Sequence, residues 1–224
     1  MSDRFSRMLA EYAAAVQWEQ LPEPTVHEVK RRVLDSLGVA LAAFAEPAPK
    51  AARAYAYHWP LVGGATLWGT NFTAPVEAAA LCNGVMVRYL DFNDTYLSQE
   101  PLHPSDTIAA LWALAEWRDL PARDFLLSVA VAYEVGVNLC DAASLRRWGW
   151  DHVNYIGVAT AAAAGRLLGL PVEGIEHAIS LACVPHAAMR QTRAGELSMW
   201  KGAAAANSSR NAVFAALLAQ EGFT

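Results

Sequence analysis

The sequence predicts an all-α protein, and three observations carry that expectation. Apolar residues recur at steps of three and four, as in Val26, Val29, Val33, Leu37 and Leu41, which sets them on one face of a helix. Alanine runs such as Ala161 to Ala164 and Ala203 to Ala206 let helix backbones approach closely, so the helices should pack tightly. Strand signals are confined to ATLW between Gly63, Gly64 and Gly69, leaving room for at most one short strand or a mere loop. With no repeat of fixed period and no Gly- or Ser-rich linker, residues 1–224 read as one large multi-helix domain.

In chain order, Ser2 to Val16 alternates charged and apolar residues as a first amphipathic helix does, not as a leader does. Pro24 to Phe44 follows, with Thr25 and Glu28 in capping-box spacing, then a helix from Pro49 to Trp59. Pro75 to Leu90 is helical, Pro104 to Trp117 again, and Pro121 to about Leu145 begins after Asp119 as a possible cap. Trp148 to Asp151 is an aromatic loop. His152 to Leu168 is an Ala-rich helix that Gly169 can end in a left-handed conformation. Pro171 to Cys183 is short, and a last helix runs from about Ser198 to Glu221.

Composition narrows the function classes. The chain is 54% hydrophobic and 17% charged, with a mean hydropathy of +0.17, so apolar surface should be buried against a second subunit or further chain. Its two longest apolar stretches, Val33 to Ala45 and Val158 to Leu170, are interrupted by Asp35 and Arg166, short of the ~20 residues a bilayer span needs. A net charge of -5 offers no general attraction to nucleic acid or anionic membrane. Cys82, Cys140 and Cys183 are scattered in apolar helical contexts, which fits buried free thiols in a reducing, cytoplasmic compartment better than disulfides or an iron–sulfur cluster. The six histidines show no metal-ligand spacing and no phosphate-loop motif occurs, so no metal and no cofactor are expected.

Two stretches carry chemistry. Leu81 to Thr107 packs Arg88, Asp91, Asn93, Asp94, Thr95, Glu100, His103, Ser105 and Asp106 between two apolar helices. Such a loop is costly unless its side chains have partners or a task. Asp91 and His103 are the natural proton-transfer pair, although Asp and Asn also cap helices and a loop histidine can be simple packing. Pro185 to Asn211 gathers Arg190, Arg193 and Lys201 beside Gln191, Thr192, Glu196 and Ser198. Lys201 falls in the first turn of the last helix, where the helix dipole disfavours a cation. It is suited there to bind a carboxylate or transfer a proton, or else to pair with Glu196.

The run LDFNDTYL followed by HPSDT, the GWDH before an alanine-rich helix ending GRLLGL, and RQTRAGELSMWKGAAAANSSRNAVFAALLAQEGFT resemble the MmgE/PrpD family along essentially the whole chain. That family includes 2-methylcitrate dehydratase and cis-aconitate decarboxylase. The resemblance implies a large helical domain joined to a smaller α/β lid domain, a site between them, and usually a homodimer. It implies active-site roles for Asp91, Thr95, His103 and Lys201, with His152 near another family histidine. Arg88, where many relatives carry histidine, departs in a way that bears on substrate choice, and Arg190 and Arg193 are further substrate-binding candidates. The Asp91–His103 loop is slightly longer than in the decarboxylase branch. Because family members are considerably longer, the lid is expected to be missing and the 224-residue chain alone to be inactive and self-associating. The implied chemistry is proton abstraction next to a carboxylate of a citrate-like polycarboxylate, then loss of a β-hydroxyl. Decarboxylation or epimerisation of a related polycarboxylate, or a non-catalytic helical dimerisation module, are the alternatives.

Overall fold

The computed structural model describes residues 4–224. Among them the chain forms nine α-helices: α1 (Arg4–Ala15), α2 (Glu23–Ala42), α3 (Pro47–Ala56), α4 (Val76–Arg88), α5 (Ile108–Trp117), α6 (Ala122–Ala142), α7 (Val153–Leu167), α8 (Val172–Cys183) and α9 (Ala204–Gln220). The predicted Ser2 start of the first helix lies outside the described residues. The expected strand is present only as Ala65–Thr66 (β1), and it is not alone. It pairs antiparallel with Thr73–Ala74 (β2), since an isolated strand would leave its amides unpaired.

The core is built around α7, which packs against α6, α8 and α9. Only Asn154 and Arg166 of its residues escape burial, because alanine and glycine let neighbours close on every side. A second packed group joins α4 to α2, α3, α5 and α9. Gly84 of α4 faces Ala206 of α9 so closely that an added Cβ would stand 2.8 Å from the Ala206 methyl. Gly169 adopts a φ of 68° after α7, the left-handed conformation expected at a helix C-terminus.

Several local expectations need correction. The Thr25–Glu28 box does not form: α2 starts at Glu23, and Glu28 instead pairs with Arg31 and Arg32 along the helix. Asp119 is no cap either, sitting at φ 51° in the turn before Pro121, which opens α6. Pro104–Thr107 is a separate 3-10 turn preceding α5, and a 3-10 turn at Arg146–Trp148 precedes the aromatic loop. Leu41, on the predicted apolar face of α2, is 54% exposed, while Val29, Val33 and Ala40 are buried. Cys82 and Cys140 are buried free thiols as expected, but Cys183 at the end of α8 is exposed. Finally, α6 is by length and composition apolar enough to cross a membrane, which the reading of apolar stretches overlooked; it packs against α7, α2 and α5 as a core helix.

Candidate active site

The C-terminal end of α4 points Arg88 inward, 3% exposed, and the chain then reverses at Asp91 with φ 57°. Aspartate tolerates this left-handed conformation better than most residues. The loop beyond is closed by an antiparallel bridge between Tyr96 and Leu102, with amide–carbonyl distances of 2.8 and 2.9 Å. That bridge returns the chain so that His103 arrives beside Arg88, at the entrance to the Pro104–Thr107 turn.

Arg88 is the hub of the arrangement. Its Nη1 donates to Asp91 Oδ1, its Nη2 lies 3.0 Å from His103 Nε2, and its Nε stands 3.7 Å from Asp106 Oδ2. Asp91 Oδ2 in turn accepts from Lys201 Nζ at 2.5 Å. Lys201 therefore pairs with Asp91 rather than Glu196. It also belongs to a separate 3-10 turn, Met199–Gly202, and not to the first turn of the last helix. Ser198 caps that turn by accepting from the Trp200 amide at 3.3 Å. Burial and the nearby Arg88 and Arg193 charges lower the Lys201 pKa.

Hydrogen-bond chemistry fixes the protonation of His103. A guanidinium can only donate, so Nε2 must be the accepting nitrogen and Nδ1 must carry the proton. Nδ1–H then donates to the Asp94 carbonyl at 2.7 Å, with the Thr95 hydroxyl at 3.2 Å as a second acceptor. Burial, reinforced by the Arg88 charge, brings the His103 pKa down to about 4. Asp94 is itself held by its side chain, which accepts from Tyr133 Oη at 2.8 Å and from the Ser105 amide at 3.0 Å.

His152 faces His103 across 6.0 Å between ring centroids. It is also neutral, its pKa brought down to about 2 by burial and by Arg193. Its Nδ1 lies 3.1 Å from Asp151 Oδ1, the same oxygen that accepts from Arg193 Nε at 3.1 Å, so that carboxylate is already paired with a guanidinium. His152 Nε2 is buried without a hydrogen-bond partner. Arg190 is exposed at the start of the same 3-10 turn as Arg193.

The structure thus brings together Arg88, Asp91, Thr95, His103, His152, Arg193 and Lys201 from three distant parts of the chain. A cleft of about 300 Å³, lined by Arg88, Asp91, Leu197, Ser198, Met199 and Lys201, opens onto the Asp91–Lys201 pair. A larger cavity of about 500 Å³ lies behind the loop, where Asp94 and Thr95 meet α2 and α6. Two members of the first polar stretch do other work. Glu100 is fully buried and accepts from Ser144 Oγ and the Arg146 amide, tying the loop to the end of α6. Asp106 lies beneath Arg88 and accepts from Asn93 Nδ2 at 3.0 Å; its carboxyl is pushed up to about 7 by burial. Sequence reasoning placed Asp106 in the polar stretch without giving it a role, and only its three-residue offset from His103 hinted at one. Among the described residues no group of three or more His, Cys, Asp or Glu side chains gathers in a way that could hold a metal ion.

The helical scaffold thus sets Lys201, buried Arg88, part-buried Arg193 and two histidines of lowered pKa close to one another, a cationic cluster with proton-carrying groups beside it. Residues 7–224 match the MmgE/PrpD N-terminal domain, and the chain belongs to that family. It is 34% identical over 202 residues to 2-methylcitrate dehydratase of Escherichia coli K12, covering 85% of this chain and 42% of that protein. It is 30% identical over 234 residues to the cis-aconitate decarboxylase-like protein oryM of Aspergillus oryzae, covering 96% and 46%. The alkylcitrate dehydratase phiI of a fungal species is 31% identical over 247 residues, covering 99% and 48%. The chain therefore spans less than half the length of these curated relatives.

Proposed function

We propose that this chain is the helical part of a hydro-lyase of the 2-methylcitrate dehydratase type, acting on a citrate-like polycarboxylate without a metal. The observation that carries the reading is the Asp91 carboxylate held between Lys201 and Arg88, with neutral His103 on the far side of the same guanidinium. Removing a proton beside a carboxylate places extra negative charge on the carboxylate oxygens, and fixed cations stabilise that charge. Lys201, Arg190 and Arg193 supply the cations for the substrate carboxylates. Asp91 and His103 carry the acid–base work with Lys201, and the base takes the proton next to the carboxylate. A proton passed from the Lys201 ammonium, directly or through Asp91, lets the β-hydroxyl leave as water, forming a carbon–carbon double bond, and the abstracted proton then restores the lysine. Thr95, which touches His103, and His152, with its unpartnered buried Nε2, complete the substrate contacts.

Exposed Trp148, Trp150, Met189, Leu197, Met199 and Trp200 surround the 3-10 turns, and we assign this apolar rim to a second copy or to further chain. That rim and the free thiols support the reading of a cytoplasmic homodimer. The test is to incubate the full coding product of the gene with 2-methylcitrate and with citrate, following the new double bond by proton NMR. Water loss is the expected result. Release of carbon dioxide from cis-aconitate instead would make it a decarboxylase, and inertness of the folded product toward all such acids would sink the reading. The 224-residue chain by itself is expected to turn over little, because a cleft open to solvent weakens every charge in it.

A further inference from the structure

The three guanidinium nitrogens of Arg88 each face a different protein group. Nη1 meets Asp91, Nη2 meets the acceptor nitrogen of His103, and Nε is directed at Asp106. Side-chain exposures of 4% for Arg88 and 1% for Asp106 put this fan beneath the cleft. Both terminal nitrogens already face a protein partner, so Arg88 is badly placed to offer a free fork to substrate, while Nε pairs with Asp106 through charge alone at 3.7 Å. We propose that Arg88 is a positioning residue which, seated over Asp106, acts with the Asp94 carbonyl to hold His103 in its Nδ1–H form and keeps it neutral as pH falls. The functional consequence rests on the acid–base role proposed above for His103, but the lock itself does not.

The physical argument is directional. Nothing on Arg88 can accept a proton, so an Nε2–H form of His103 would point hydrogen at hydrogen across 3.0 Å. The Asp94 carbonyl imposes the same choice from the other side, accepting from Nδ1 at 2.7 Å. Protonating the ring would set a second cation against Arg88, with Arg193 and Lys201 near and His152 facing. Against that stand the Asp94 carbonyl and side chain, which favour the imidazolium, and Asp91, whose charge is directed at Arg88 and Lys201. Asp106, raised to about 7, takes up a proton as pH falls and withdraws its charge from Arg88. Asn93 and Ser105 complete the anchor: Asn93 Nδ2 donates to Asp106 Oδ1 and to Ser105 Oγ, both at 3.0 Å. Asp91 and His103 fix the two tips of the guanidinium fork, an orientation that a lysine ammonium on a flexible stem does not reproduce.

The experiment is nitrogen-15 NMR of the histidine rings in the purified chain across pH. In the parent, His103 should show the Nδ1–H pattern and remain neutral down to about pH 5. Because Arg88→Met alone strands a buried carboxylate and can unfold the chain, the paired variant Arg88→Met/Asp106→Asn is measured beside it. In either folded variant the His103 midpoint should rise by about one unit or more, while the Asp94 carbonyl keeps the proton on Nδ1. Arg88→Lys should restore only part of the midpoint. An Nε2–H ring in the parent, an unchanged midpoint in the paired variant, or full rescue by lysine would each overturn the inference. The full coding product adds a second arm. An acid limb of the turnover profile that moves with the NMR midpoint supports the inference and the role of His103 together. A tautomer lock seen without any such movement supports the lock and removes His103 from the reaction.

Discussion

Lys201 Nζ and Asp91 Oδ2 meet at 2.5 Å across 110 residues of sequence. One comes from a 3-10 turn before α9, the other from the left-handed reversal after α4. Neither position is fixed by its own helix, so the pair reports on how those two helices dock. Its chemistry can be separated from its structure. Asp91→Asn keeps the backbone preference and the shape but removes the charge. In the full coding product it should lower turnover about a hundredfold or more with little loss of stability, as should Lys201→Ala and His103→Ala. Steady-state rates alongside urea melts check this; near-parent rates in all three would reduce the cluster to packing.

Stability should fall in acid. His103 and His152 have folded pKa values of about 4 and about 2, below the unfolded value of about 6.5. A depressed group contributes stability that is full above pH 6.5 and is lost as pH falls toward its folded pKa. Asp106 runs the other way: raised to about 7, it adds stability as pH drops from 7 to 4. Two histidines against one carboxyl leave a net loss between pH 6.5 and 4. Asp106→Asn should steepen that loss and His152→Gln should flatten it, read from urea midpoints at pH 7 and pH 5. A midpoint higher at pH 5 than at pH 7 in the parent would contradict the burial argument.

The two buried glycines of α4 and α6 should respond differently to alanine. At Gly136 the nearest atom to an added Cβ is the flexible Leu102 Cδ2, 2.9 Å away, so the gain in helix propensity of about 1 kcal/mol can offset the squeeze. At Gly84 the obstacle is Ala206, with its Cβ at 2.8 Å and its backbone Cα at 3.2 Å. Gly84→Ala should therefore cost about 1–3 kcal/mol while Gly136→Ala is nearly neutral. Equal denaturation midpoints for the two variants would refute the close-contact argument.

Thiol labelling gives a third structural check. Burial pushes the Cys82 and Cys140 thiols up to about 12, whereas Cys183 is exposed. Under native conditions a maleimide should modify Cys183 alone, counted by mass spectrometry, with the other two reacting only after denaturation.

The helices were legible because spacing and proline placement are local signals. Pro75, Pro121 and Pro171 stand at the N-caps of α4, α6 and α8, as the sequence led one to expect. Caps were less legible: Thr25 and Glu28 have the right spacing, but Pro22 and Glu23 had already started the helix. The site was half visible. Asp91, His103 and Lys201 stood out as residue types in improbable company. Their pairings did not, because those of Lys201 with Asp91, Arg193 with Asp151 and Arg88 with Asp106 join segments that only the folded chain brings together. Cys183 was misjudged for a similar reason, since an apolar neighbourhood in sequence does not say which face of α8 its last turn presents.

Gly84 lies one helical turn before Arg88 in α4, and Ala206 lies little more than one turn beyond Lys201. The close contact between them fixes where the two helices cross, with Arg88 and Lys201 mounted on very short arms to either side. The spacing between Arg88 and Lys201 is therefore set by the closest helix contact near them and not by the outer helices. For anyone transplanting this site to another scaffold, α4, its loop through Thr107 and the stretch from Arg190 into α9 form the unit to move in one piece.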